Sequence, residues 1–205
     1  MVINRLFSFV NECNRLLLYL KKYFFMEFHL ETERLVLRDF REKDTKAIFE
    51  LDSNPKVHKY LGNNTISTYE EAEKIIEFFK TQYEDNGIGR FAAFEKVSGE
   101  FIGWSGLKLN VGKKEELNGF TNFIDIGYRL LPKFWGKGYA SESAFACLNF
   151  GFKQMNYDVI YAAAQNSNIG SNKILKKIGL KLINEFVFEG EKASWYELRK
   201  ENYGK

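Results

Sequence analysis

The sequence predicts a single mixed α/β domain, a mostly antiparallel mixed sheet of about six to seven strands flanked by helices. Three observations predict it. Apolar runs of strand length recur along the chain, some alternating and some nearly continuous. Some are joined by short Gly-containing connections that suit antiparallel hairpins, and others by helical-period runs that suit crossovers. No internal repeat or low-complexity linker divides the 205 residues, and 45% hydrophobic residues suffice for one closed core. The order is strand, two helices, three strands, helix, strand, helix, two strands, all within a domain spanning 26–205.

The first 25 residues stand apart as an extension, 1–25. Leu6, Phe9, Val10, Cys13, Leu17, Leu20 and Phe24 recur at three- and four-residue steps with polar residues between them, which predicts an amphipathic helix. Its apolar "LLLYL" falls well short of the roughly 20 residues a bilayer crossing needs, and no small-residue cleavage site follows. A docking helix, a membrane-surface helix and an upstream extension before a start at Met26 all fit that pattern.

In "ETERLVLRDFREKD", Leu35 and Leu37 share one face of a period-two strand, and Arg34, Val36 and Arg38 the other. Asp44 is positioned to cap the next helix, whose inner face carries Ala47, Ile48 and Leu51, and Pro55 ends it. A second helix is expected over 68–83, because Thr68 and Glu71 have capping-box spacing and Ala72, Ile75, Ile76 and Phe79 keep the helical step. Residues 86–89 break it. Runs 91–96 and 100–109 read as strands joined by "VSGE". Run 122–131, nearly continuous in "FIDIGYRLL", reads as a central strand in which Asp125 is the discordant residue. A helix over 141–153 follows, then the strand "DVIYAAAQ", a short helix ending at Gly179, and a hairpin over 180–198 turning at Glu189 and Gly190.

Composition narrows the partners. Net charge is only +3 and no long like-charge block occurs, so a nucleic-acid surface is not indicated. Cys13 and Cys147 are too far apart for a disulfide framework, and His29 and His58 lack clustered ligand partners. The chain therefore reads as cytoplasmic and metal-free, with both histidines in structural or surface roles.

The stretch "PKFWGKGYASES" joins the central strand to the 141–153 helix. Pro132 stops the strand, and Gly136 and Gly138 allow positive φ or close backbone approach just before helical amides that have no internal partner. Such a turn is an anion cradle suited to phosphate or pyrophosphate, with Lys133 or Lys137 adding charge. A plain strand-to-helix connector is the other reading. Neither a dinucleotide fingerprint nor a phosphate loop fits, because the third Gly and the Lys-Ser/Thr pair are missing.

"IDIGYRLLPKFWGKGYASESAFACLNFGF" followed by "AAAQNSNIGSNKILKKIGLKL" resembles the GNAT superfamily of acyl-CoA-dependent N-acyltransferases. It most resembles the RimJ/RimL-type branch, the ribosomal-protein alanine acetyltransferases, and "ETERLVLRDF" and "GEFIGWSGL" sit in the order that branch shows. The likeness covers about residues 30–200 and implies a GNAT-like fold and acetyl-CoA as cosubstrate. Lys133, Gly136 and Gly138 occupy the family's R/Q-x-x-G-x-G/A loop, where Lys133 departs from the usual Arg or Gln. Trp135, Gly136, Lys137, Gly138, Tyr139, Ala140 and Ser141 would hold the pyrophosphate, mainly through main-chain amides. Gly127, Tyr128, Arg129 and Leu130 would pair their backbone with pantetheine as an added strand does, with Asn168 as a side-chain anchor for the same arm.

In such enzymes an amine attacks the thioester directly, so the protein aligns reactants, removes a proton, holds an oxyanion and releases a thiolate. Asp125 lies where the family often carries a carboxylate and is the candidate base; the alternatives are an outward position or a pair with an Arg. Glu142 is a weaker rival that also suits the helix dipole. Many relatives carry a Tyr seven residues after the Asn as thiolate acid, but here that position is Leu175. Ser171 completes the branch's N-x-x-S and either donates to the leaving sulfur or satisfies free amides at a helix start. The expected acceptor is a primary amine, foremost a protein N-terminus. A small amine such as a polyamine, amino sugar or antibiotic is the rival, and a silent CoA-binding or partner-binding module a third reading. Oligomeric state is open.

Overall fold

The structure, a computed structural model, describes residues 28–204. The expected helix over 1–25, Cys13 and Met26 lie outside them. The strands are β1 (His29–Glu31), β2 (Leu35–Arg38), β3 (Arg90–Glu95), β4 (Phe101–Asn110), β5 (Phe123–Leu130), β6 (Val159–Gln165), β7 (Lys181–Phe188) and β8 (Glu191–Arg199). The helices are α1 (Thr45–Asp52), α2 (Pro55–His58), α3 (Tyr69–Asn86), α4 (Tyr139–Lys153) and α5 (Ile169–Lys177). All eight strands form one sheet in the order β1-β2-β3-β4-β5-β6-β8-β7. Among the described residues, the only parallel neighbours are β5 and β6. Among the described residues, no helix is long and apolar enough to cross a membrane.

Sequence chemistry accounts for most boundaries. The Thr68 hydroxyl accepts from the Glu71 amide at 3.3 Å while Glu71 accepts from the Thr68 amide at 3.0 Å, the reciprocal cap that opens α3. That helix runs past residue 83 to Asn86, where Gly87 takes φ 64° and ends it. Glu189 and Gly190 both have positive φ, 49° and 82°, as a two-residue hairpin turn between right-twisted strands demands. Asp44 holds the N-cap position of α1, but its side chain makes no cap bond there. It closes a single tight turn, Glu42–Asp44, and its carboxylate accepts two bonds from Arg38 at 2.7 and 2.8 Å. Pro55 both ends α1 and opens α2, its missing N–H costing nothing at a first helical position. β1 is the strand the sequence pattern omits: three residues with no buried side chain are too few for a period.

Alternation along β4 and β5 assigns the faces. Ser105 and Leu107 meet α4, with Ser105 Oγ 3.7 Å from Cys147 Sγ. A Cβ on Gly151 would lie 2.6 Å from Leu107, so α4 seats on the sheet closely because that position is Gly. Trp104 points the other way, its ring 6.2 Å from that of Phe79 on α3. In register across β5, Arg129 lies opposite Trp104, Gly127 opposite Gly106 and Asp125 opposite Lys108, on the α3 face. Tyr128 lies opposite Ser105, on the α4 face.

Candidate active site

Parallel pairing between β5 and β6 occurs at one position, Asp125 opposite Tyr161. Beyond it the two strands part, and the backbone of Gly127, Tyr128, Arg129 and Leu130 on the side away from β4 has no strand partner among the described residues. An unpaired strand edge is a template for an extended ligand that carries amides.

The glycine turn lies at the start of α4. Pro132–Phe134 makes one tight turn, then Gly136 and Gly138 take φ 74° and 84°. Among the described residues, the amides of Gly136, Lys137, Gly138, Tyr139, Ala140 and Ser141 donate to no backbone carbonyl; the first to do so is Glu142, to Gly138 at 3.1 Å. These are the helix's orphan donors, and they make the N-terminus of a fifteen-residue helix electropositive. The turn is held from outside. Arg34 donates to the Lys137 carbonyl at 3.0 Å and to Glu142 Oε2 at 2.7 Å, and it stacks over Tyr139 at 4.5 Å. Glu142, the rival base, is thus engaged by Arg34 and Thr32. Burial opposes its ionisation, but those bonds win and hold its carboxyl below the usual range. The Trp135 indole donates to the Leu130 carbonyl at 2.7 Å, fixing the exit from β5. Lys133 is drawn aside to Glu100 at 3.2 Å, a solvent-exposed pair, and Lys137 Nζ lies 5.3 Å over Phe134.

Asp125 is paired. Arg90 donates to its Oδ2 at 2.7 Å and Asn110 to its Oδ1 at 3.1 Å, the ion-pair alternative that the sequence left open. Arg90 also donates to the Gly106 carbonyl at 2.6 Å. Gly127 has no side chain where the Arg90 guanidinium passes, since a Cβ there would meet its carbon and nitrogens at 3.1–3.2 Å.

Arg90 also borders a cavity of about 280 Å³ between α1, α3 and the middle of the sheet. Ile75, Phe78, Phe79 and Trp104 form its apolar wall; Asp52, Lys108 and Arg129 add charge, and Gln82 an amide. Both guanidiniums approach the Trp104 ring, Arg90 at 5.3 Å and Arg129 at 5.2 Å. Arg129 is held by Asp52 at 2.6 Å, and His58 Nε2 is 3.3 Å from the same oxygen. Burial, with Arg129 beside it, pushes the His58 imidazole below its usual range. The neutral ring therefore donates through Nε2 to Asp52, leaving Nδ1 without a partner.

On the opposite face, Ser171 stands at the first turn of α5. Its amide donates to Asn168 Oδ1 at 3.1 Å, so Asn168 caps the helix through that oxygen. The Ser171 hydroxyl lies 3.1 Å from the Tyr128 hydroxyl, which also lies 3.2 Å from the Ser171 carbonyl. Burial raises the Tyr128 phenol to about 12, leaving it a neutral donor at physiological pH. Leu175 is buried in the core, and burial likewise raises the Cys147 thiol to about 12, which makes it unreactive. The structure therefore brings Ser171 against Tyr128 of the unpaired edge Gly127, Tyr128, Arg129 and Leu130, with Asp125 at the point where the strands part, while Asn168 is bonded within the start of α5 and not to β5.

Sequence reading missed Arg90, Asp52, Gln82 and Trp104. A signal existed for two of them: Asp52 ends an apolar helix and Arg90 opens an apolar strand, discordant in the way Asp125 is.

Residues 34–181 match the model of the acetyltransferase (GNAT) domain. The uncharacterised N-acetyltransferase YoaA of Bacillus subtilis (strain 168) is 30% identical over 163 residues, 78% of this chain and 88% of YoaA. A solved GNAT-family acetyltransferase from Bacillus anthracis superposes with a TM-score of 0.69 at 26% identity, covering 85% of this chain and 99% of that one. The spermidine N-acetyltransferase of Vibrio cholerae, solved with CoA and spermine, has a TM-score of 0.68 at 19% identity over 85% of this chain and 100% of its own, a likeness of fold.

Proposed function

Because this chain belongs to the GNAT family of acetyltransferases, we propose that it moves the acetyl group of acetyl-CoA to the α-amine of a protein N-terminus, the acceptor implied by its RimJ/RimL-type tract. That it is an acetyl-CoA-dependent N-acetyltransferase follows from the family; the acceptor and the residue roles are the proposal. The observation that carries it is the run of unspent amides over 136–141, close in sequence to an unpaired β5 edge. Both features fit a ligand with a diphosphate at one end and amides along its arm.

Acetyl-CoA supplies a thioester carbonyl that an amine can attack. The chain does the rest. The amides over 136–141 hold the diphosphate, with Lys137 nearby, and residues 127–130 align the pantetheine arm, with Asn168 beside it. Ser171 donates its hydroxyl proton to the departing sulfur, backed by Tyr128. The gap between β5 and β6 lets an amine from the α3 face meet a thioester lying along the strand edge.

The base requirement favours an α-amine. With a pKa near 7.7 it is roughly one-third neutral at pH 7.4, whereas a Lys-type amine near 10.4 is only about 0.1% neutral. Asp125, bonded to Arg90 and Asn110, takes a proton from the α-amine through water.

Thermal unfolding with acetyl-CoA tests the reading. The ligand is expected to raise Tm, and Gly138→Glu to abolish the rise by putting bulk and negative charge into a turn at φ 84°. Acetylation of short peptides at their N-termini, followed by mass, is the second readout. No shift at millimolar acetyl-CoA in the unmodified protein sinks the assignment.

A further inference from the structure

We propose that Arg34 is a positioning residue for the cosubstrate: it holds the Glu142 carboxylate off the free amides over 136–141 and fixes the peptide that aims the Gly138 amide, so that an outside diphosphate meets them unopposed. The inference deepens the acetyltransferase reading and rests on its assignment of the diphosphate to that turn.

Charge carries the first half. A helix N-terminus attracts the nearest anion, and α4 carries one of its own, Glu142, in its first turn. What such an acid does when left to itself is seen on α3. There Glu71 bends back onto the amides of Ser67 and Thr68 at 2.7 and 3.0 Å, and the entry to the helix is occupied by its own acid. On α4 no side chain caps at Gly138. Both Glu142 oxygens are engaged from the turn between β1 and β2 instead: Oε1 accepts from the Thr32 hydroxyl and from the Arg34 amide at 2.9 Å, and Oε2 accepts from Arg34 Nε at 2.7 Å. The same guanidinium offsets a negative charge that would otherwise stand alone within one helical turn of those amides.

Backbone geometry carries the second half. Arg34 also donates to the Lys137 carbonyl at 3.0 Å. That carbonyl and the Gly138 N–H belong to one planar trans peptide and point opposite ways, so a donor on the oxygen fixes the direction of the N–H. The fix matters because Gly136 and Gly138, at φ 74° and 84°, leave the peptides between them easy to rotate. Arg34 is itself anchored. Its carbonyl accepts from the Lys96 amide at 2.8 Å, and its guanidinium lies 4.5 Å over the ring of Tyr139, whose hydroxyl is bonded to Glu95 of β3. A lysine would keep the charge, but one ammonium cannot serve Glu142, the Lys137 carbonyl and an aromatic face together.

The test measures the Kd of acetyl-CoA by titration calorimetry, with Tm alongside, for the unmodified protein, Arg34→Lys, Arg34→Met, and Arg34→Met combined with Glu142→Gln. Arg34→Met is expected to weaken binding about tenfold or more and Arg34→Lys about threefold. Removing the stranded acid in the double variant is expected to recover about threefold of that loss. The ion pair is absent from Arg34→Met and from the double variant alike, so an arginine that only braced the fold would give no such recovery. A Kd for Arg34→Met within about twofold of the unmodified protein's overturns the inference, as does a double variant that binds no more tightly than Arg34→Met. Should Arg34→Met not fold, Arg34→Lys decides alone, and an unchanged Kd in it is the overturning result. If the unmodified protein itself gives no binding at millimolar acetyl-CoA, the acetyltransferase reading falls first and this inference with it.

Discussion

Gly127 is bare for a reason that lies in another strand. Arg90, 35 residues away from Asp125 in sequence, crosses over Gly127 to reach that carboxylate, and a methyl at 127 would stand 3.1 Å from its guanidinium. Gly127→Ala is therefore expected to push Arg90 off Asp125 and lower stability by about 1–3 kcal/mol, read as a lower Tm or denaturant midpoint. Asp125→Asn separates two roles. A base role predicts a loss of about a hundredfold in kcat, whereas an unchanged rate with a lower Tm leaves Asp125 only the task of holding Arg90. Ser171→Ala is expected to lower kcat by tenfold or more while the acetyl-CoA-induced rise in Tm persists; equal turnover removes Ser171 from the proton path. At this scale the sequence exposed what is local. Gly136 and Gly138 announce themselves by spacing, and Ser171 by its distance from Asn168. The Arg90–Asp125 and Arg129–Asp52 pairs did not, because nothing in a period or a spacing tells which arginine crosses a sheet to which acid.

Among the elements, the short α1–α2 segment couples the β5 edge to pH. Asp52 on α1 and His58 on α2 together hold Arg129 of β5. Burial and the nearby guanidinium keep His58 neutral in the folded state, below its ordinary 6.5. As pH falls through 6.5 the unfolded chain takes up a proton that the folded chain refuses, so stability declines, whereas above 6.5 this group contributes no slope. The lowered carboxyls, Glu142 among them, act in a separate window beneath their ordinary 4.5. Tm is thus expected to fall between pH 7 and 5.5, and His58→Gln to flatten that fall; an equally steep curve in the variant excludes His58 as the source. The capping box of α3 and the turn of the β7–β8 hairpin were legible because caps and turns are written in a few adjacent residues. The role of Asp44 was not, since a side chain that fits an N-cap serves a buried arginine equally well and only the fold decides between them.

Across the whole molecule, strand count and class were readable from run lengths, while strand order was not. The sequence gives a crossover between β5 and β6 but not how far the two stay side by side, a matter of twist and of what α4 and α5 wedge against them. Five strands on one flank and three on the other meet at a single backbone rung, Asp125 with Tyr161. The two flanks share one hydrophobic core, so the junction is thin in backbone hydrogen bonds alone. A ligand arm lying in the breach would supply the absent steps, so amide hydrogen exchange should slow on both flanks at once when acetyl-CoA is added, β6 and β8 included. Protection confined to residues 127–141 would instead mean that the flanks already move as one body, and that the cosubstrate is a guest of the sheet and not its keystone.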